Sequence, residues 1–264
     1  KAKTFGLLVG LLFVVSILCP AQERDTSFMA SLKANHDHSY ITFAGGAGNI
    51  EPLYFEAAIN PYYMPFTDKK KWGIEVSAKV IVRMYQEFSC PIRTPSYMPR
   101  ITGYLNTSEL GNVFPKTLYL SWCHHSNGQD GSFYYTEDTT KVNTFSGDFS
   151  TNMFEIGACK LRKGFLIPDN EISLKLSTEY HYRQSIQLHD QYGNLRLNGE
   201  LRTRWNTIGN TSHIDHSNKS GGSFSTRLYL QWRAGNLSGV PAFDMDRLTM
   251  SAILAYSPAF FNEI

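Results

Sequence analysis

The segment from Glu171 to Arg183 alternates between two chemistries, and this alternation constrains the fold more than any other feature of the chain. Ile172, Leu174, Leu176, Tyr180 and Tyr182 share one parity, whereas Glu171, Ser173, Lys175, Ser177, Glu179, His181 and Arg183 share the other. Successive side chains of an extended strand point to opposite faces, so a period of two sets an apolar sheet face back to back with a charged one. Phe224 to Arg233 repeats the pattern, with Phe224, Leu228, Leu230 and Trp232 opposed to Ser225, Arg227, Gln231 and Arg233. Asn194 to Trp205 does so again, and its polar side carries Arg196, Glu200, Arg202 and Arg204. A soluble barrel needs apolar filling, whereas a membrane barrel turns its apolar face to lipid and pairs its charges in a polar lumen. The pattern therefore favours an all-β fold, a transmembrane antiparallel β-barrel, over the alternative of a periplasmic β-sandwich.

The remaining composition agrees with this reading. No apolar run long enough for a spanning helix follows Leu18, so any crossing of a bilayer must use strands. Aromatics make up 14% of the 264 residues, including 15 Tyr and 17 Phe, which suits the aromatic girdles of a barrel. A formal net charge of +2 without a basic stripe or arm argues against nucleic acid as a partner. Lys1 and Lys3 precede an apolar run from Phe5 to Leu18, and Cys19-Pro20-Ala21-Gln22 offers small residues for cleavage after Ala21. Residues 1–21 thus read as a signal peptide, residues 22–38 as a periplasmic N-terminal segment, and residues 39–264 as the barrel. The bulky Leu18 ahead of Cys19 argues against a lipoprotein. Cys90, Cys123 and Cys159 show no metal-type spacing. If His124 pairs with Asn152, Cys123 and Cys159 lie about six residues apart along neighbouring strands, on the order of 20 Å and beyond disulfide reach. The Gly45–Asn49, Asp190–Asn194 and Ile208–Gly222 segments read as turns or loops.

The chemistry-bearing feature is His124-His125-Ser126-Asn127-Gly128, at the end of a strand-like stretch. Leu118, Leu120 and Trp122 share the face of His124 and Ser126, while Tyr119, Ser121, Cys123 and His125 occupy the other. A histidine two residues before a serine on an extended chain sets a base beside a nucleophile, here on the apolar face. His125 then points inward, where lumen hydrogen bonding is its expected role. Thr151 to Ala158 alternates again, placing Asn152, Phe154, Ile156 and Ala158 opposite in facing to Glu155 and Gly157. Asn152 thereby joins the lipid side and can meet His124 across a hairpin. Asn143, in the Thr/Ser/Gly-rich connection, is the alternative.

His124-x-Ser126-Asn127-Gly128 at the end of an apolar-faced strand resembles the active-site motif of outer-membrane phospholipase A. That family comprises calcium-dependent barrel enzymes that hydrolyse acyl esters of membrane phospholipids. Recognisable residues run from Lys79 to Gly157. The resemblance implies Ser126 as nucleophile, His124 as general base and an orienting asparagine at Asn152. It also implies Ca2+ as cofactor, for which Gln129, Asp130 and Ser132 directly follow the motif with oxygen donors. The family's Arg after the glycine and its spacing to the ligand serine are missing here, so a plain polar loop is the competing reading of these residues. Ser96-Tyr97-Met98-Pro99-Arg100 resembles the family's serine-containing loop, with Ser96 binding calcium across a dimer interface. Gln86, at the parity of Val80, Val82 and Met84, resembles the family's interface glutamine, though hydration at a membrane edge explains it equally. The partners so implied are phospholipid substrate, the outer membrane and a second copy in an active homodimer. The rival functions are a pore or transporter and a structural or adhesive barrel. His36 with His38, and His213, Asp215 and His216, read as solvated loop groups.

Overall fold

A computed structural model describes residues 28–37, 39–43, 53–68, 70–110, 116–138, 141, 143, 145–163, 170–185, 194–206, 223–234 and 247–257. The 1–21 segment, His38, the Gly45–Asn49 turn and the 207–222 loop with its histidines lie outside the described residues. One helix, α1 (Phe28–Asn35), precedes eleven strands. These are β1 (Tyr40–Phe43), β2 (Leu53–Ile59), β3 (Tyr62–Asp68), β4 (Trp72–Tyr85), β5 (Ser96–Asn106), β6 (Thr117–Ser126), β7 (Ser150–Lys163), β8 (Asn170–Tyr182), β9 (Leu195–Asn206), β10 (Ser223–Ala234) and β11 (Arg247–Ser257). Each alternating segment read from the sequence forms a strand, because period-two patterning leaves no helical face to bury.

All strands join one antiparallel sheet in the order β1-β2-β4-β5-β6-β7-β8-β9-β10-β11. β3 lies off this path only because β2 and β3 share the same edge of β4, one against each half of it. They are one strand broken at Asn60-Pro61, where proline has no N–H to donate and its carbonyl instead accepts from Ala78 N at 3.1 Å. The sheet is strongly curled. Flat, β4 and β10 would lie about 29 Å apart at ~4.8 Å per strand. Yet Asp37 places one carboxylate 3.3 Å from Lys79 Nζ of β4, 3.1 Å from Arg202 Nη2 of β9 and 3.3 Å from Arg227 Nη2 of β10. Among the described residues no ladder joins β1 to β11, so the architecture is a half-barrel, and the closed all-β transmembrane barrel of about twelve strands that the resemblance to outer-membrane phospholipase A implies is not seen.

Its two faces are inverted relative to a soluble sandwich. Ile101, Leu105, Leu118, Leu120, Phe154, Ile156 and Tyr180 are exposed on the convex side. Glu75, Ser121, Glu155, Glu179, His181, Arg196 and Glu200 are buried on the concave side. Opposite charges there hold one another, as burial requires. Arg100 Nη1 meets Glu155 Oε2 at 2.7 Å, and Arg227 Nη2 meets Glu200 Oε2 at 2.8 Å. Cys123 and Cys159 face Met153 and Thr117 on separate rungs of β6–β7 and stay free, as the register argument requires.

Of residues 22–38, read from the sequence as a periplasmic N-terminal segment, the described residues 28–37 fold onto the sheet. α1 lies against the concave face, with Phe28 and Leu32 packed on Tyr104 and Tyr119, and Ser31 Oγ 2.8 Å from Thr117 Oγ1. Two apolar residues four apart on a short helix need such cover. His36 is correspondingly buried rather than solvated: Nδ1 is 3.2 Å from Glu75 Oε1 and the ring centroid is 3.9 Å from that of Tyr62.

Asp37 is the electrostatic anchor of this segment. Burial pushes its carboxyl up, but Lys79, Arg227 and Arg202 outweigh burial and hold it well below the usual carboxylate range. Its contribution to stability is therefore complete above the unfolded-state value near ~3.9 and is lost as pH falls through the lower folded value. Asp37→Asn should reduce stability at neutral pH by about 1–3 kcal/mol, discounted for its partial exposure. The gap between the unfolding midpoints of wild type and variant, measured from pH 7 down to pH 2, should narrow toward the acid end.

Candidate active site

β6 and β7 bring the sequence motif together. Their ladder pairs Trp122 with Phe154, His124 with Asn152 and Ser126 with Ser150. All of these have the convex parity. Directly opposite residues have Cβ atoms about 5 Å apart, close enough for a side-chain hydrogen bond. His124 Nδ1 lies 3.1 Å from Asn152 Oδ1. An amide oxygen can only accept, so this contact keeps the proton on Nδ1 and leaves the Nε2 lone pair free to act as a base. Ser126 follows on the same face and is half-buried. Among the described residues Ser126 Oγ makes no side-chain hydrogen bond, so His124 and Ser126 share a face without being joined.

The alternative, Asn143, is committed elsewhere. Its Oδ1 accepts from Phe145 N and Ser146 N, at 3.2 and 3.1 Å, and its Nδ2 donates to Ser132 O at 3.1 Å. It shapes the loop between β6 and β7. Asn127 does the same at the loop's mouth, where Oδ1 accepts from Gln129 N and Phe149 N and Nδ2 donates to Gly147 O at 2.7 Å. Gly128 sits at φ +67, a conformation glycine adopts without strain, with the Tyr97 ring 3.6 Å from where a Cβ would stand. His125 points inward as expected, but its ring packs edge-on against Phe149 at 4.8 Å instead of hydrogen bonding in the lumen.

The residues read as calcium ligands are only partly assembled. Asp130 and Ser132 are exposed, and among the described residues their side chains have no hydrogen-bond partner. The Gln129 side-chain amide donates to Thr94 Oγ1 at 2.5 Å, leaving its backbone carbonyl as the candidate donor. An all-oxygen set of carboxylate, carbonyl and hydroxyl suits a hard cation. Among the described residues no three His, Cys, Asp or Glu side chains converge. Ser96 opens β5 opposite Ile81, at the concave parity of Arg100 and Thr102, whereas its neighbour Tyr97 pairs with Ser126. The structure thus puts Ser96 and Ser126 at opposite parities. Gln86 lies just past the end of β4, exposed, with Nε2 donating to Leu53 O at 3.0 Å.

Two supports of the site have no sequence signature. Trp122 Nε1 donates to Tyr182 OH at 2.8 Å, and Tyr182 stacks on Phe154 with centroids 5.1 Å apart and planes 6° from parallel. These rings form an aromatic floor beside His124 and Asn152. Asn152 Nδ2 donates to Arg183 O at 3.3 Å, just beyond the end of β8. No protein family, curated protein or solved structure matches this chain, so the site rests on its own geometry.

The tautomer is directly measurable. Nitrogen-15 spectra of imidazole-labelled protein should show His124 protonated on Nδ1 near neutral pH. In Asn152→Ala the preference should fall to the mixture of an unconstrained ring, while Asn143→Ala should leave it unchanged.

Proposed function

We propose that this chain is an outer-membrane phospholipase A-like enzyme that hydrolyses phospholipid acyl esters at the surface of a membrane barrel. The observation that carries the reading is the His124 Nδ1–Asn152 Oδ1 contact at 3.1 Å on the convex face, with Ser126 beside it. Ser126 Oγ attacks the ester carbonyl as its proton passes to His124 Nε2. Collapse of the tetrahedral intermediate breaks the acyl–oxygen bond, and the Nε2 proton leaves with the lysophospholipid alkoxide. Water, deprotonated by the same nitrogen, then frees the fatty acid from Ser126. Asn152 holds the ring throughout without adding the charge that a carboxylate would.

Calcium, when bound, supplies positive charge toward the developing oxyanion, and Asp130, Gln129 and Ser132 are the residues that would hold it. The proposal extends to an outer-membrane location and an active homodimer, with Gln86 at the edge of the dimer face. The convex face supports the membrane reading. Outward residues between Asn152 and Lys160 on β7 are Phe154, Ile156 and Ala158. That stretch rises ~27 Å along the strand, or about 21 Å after a typical tilt, close to the ~25 Å apolar band of a barrel. The site then lies where the apolar band meets water, bordered by Trp122, Phe154, Tyr180 and Tyr182, as interfacial aromatics are.

On the concave side α1 and its ion pairs leave beside Asn35, Asn60 and Glu75 a cavity of about 50 Å³, room for a few waters.

Fatty-acid release from detergent-dispersed phospholipid with calcium tests the activity. Ser126→Ala and His124→Ala should each lose at least about 10⁴-fold in kcat. Asn152→Ala should lose roughly 10- to 100-fold, the worth of one orienting hydrogen bond. All three should keep the heat-dependent gel mobility of a folded barrel. Absence of release from the unaltered protein would refute the proposal.

A further inference from the structure

We infer that the backbone carbonyl of Arg183 is a positioning group that makes an asparagine usable as the third member of this site. The inference rests on the hydrolase reading above. A carboxylate presents an acceptor whichever way it turns, but an amide has an accepting end and a donating end. With its amide reversed, Asn152 would donate to Nδ1, move the ring proton to Nε2 and remove the base. Something must therefore hold Nδ2 away from His124. Arg183 O does so, accepting from Nδ2 at 3.3 Å while Oδ1 faces the ring.

The carbonyl can point there because β8 ends abruptly. Arg183 adopts φ +47, in the left-handed region that non-glycine residues rarely enter. The turn is pinned on both flanks. Ser185 N donates to Ser150 O at 2.9 Å and Ser185 Oγ accepts from Ser150 N at 2.8 Å, while Gln184 Nε2 donates to Asn194 Oδ1 at 3.1 Å. Ser150 is itself the rung opposite Ser126. The same clamp thus ties the turn that orients Asn152 to the strand that faces the nucleophile. A left-handed residue so over-determined stores strain at a place where orientation matters.

The test is a double-mutant cycle on fatty-acid release. Arg183→Val disfavours the left-handed conformation and should lower kcat roughly tenfold with KM unchanged. Arg183→Gly, which enters that region freely, should recover to within about threefold of wild type. In an Asn152→Asp background, where either oxygen can accept from Nδ1–H, Arg183→Val should have no effect on kcat. An equal loss in both backgrounds, or no loss in either, overturns the inference. If Arg183→Val fails to fold by gel mobility, Ser185→Ala, which loosens the same turn, takes its place in the cycle and is read the same way. Release that survives while Arg183 and Asn152 act independently refutes this inference alone. No release from the unaltered protein refutes the hydrolase reading and this inference together.

Discussion

Glu155 sets the register on which the site depends. It is 3% exposed on the concave face of β7, where it accepts from Arg100 Nη1 of β5 at 2.7 Å and from Tyr119 OH of β6 at 2.6 Å, with Lys175 Nζ of β8 at 3.5 Å. A buried carboxylate without such partners would cost several kcal/mol. Gly157 makes room for this arrangement, because any β-carbon there would overlap the Tyr119 ring. A slip of β7 by one residue would turn Glu155 out toward the convex face and Asn152 in. The charges of the lumen therefore fix, from behind, which residue stands opposite His124 on the outside.

The same division explains why the interior is filled. Charged inner walls must find partners, and the sheet alone does not supply them all. Asp37, just past α1, adds a carboxylate that reaches β4, β9 and β10 together, which also holds the sheet in its curl. On β6 and β7 the outer wall stays apolar from Leu118 and Ala158 to the row of His124 and Asn152. The polar pair His124 and Asn152 lies beside the aromatics Trp122, Phe154 and Tyr182.

Much of this was legible in the sequence because period two is a local property. The facing of β6 to β10, the outward placement of His124 and Ser126, the inward turn of His125 and the pairing of Asn152 all follow from parity and one hairpin register. What was not legible depends on tertiary context. α1 is too short for its periodicity to reveal that Phe28 and Leu32 pack inside, so His36 read as a solvated loop group and Asp37 drew no reading. Asn143 and Asn127 sit in similar polar stretches, and only the loop's hydrogen bonds show that both are structural. Ser96 was read by motif likeness, which says nothing of the parity it takes on β5. Arg183 carries no signal at all, since a left-handed non-glycine residue is imposed by its surroundings and not by its side chain.

The central claim is that Ser126 is a nucleophile activated by His124. An alkyl fluorophosphonate reports this without substrate turnover, because the activated Oγ displaces fluoride and leaves a stable phosphonate ester. Intact-protein and peptide mass spectrometry should place one adduct on Ser126, formed at a rate that collapses in His124→Ala and falls in Asn152→Ala. Labelling elsewhere, or labelling of Ser126 at the same slow rate with and without His124, would contradict the account.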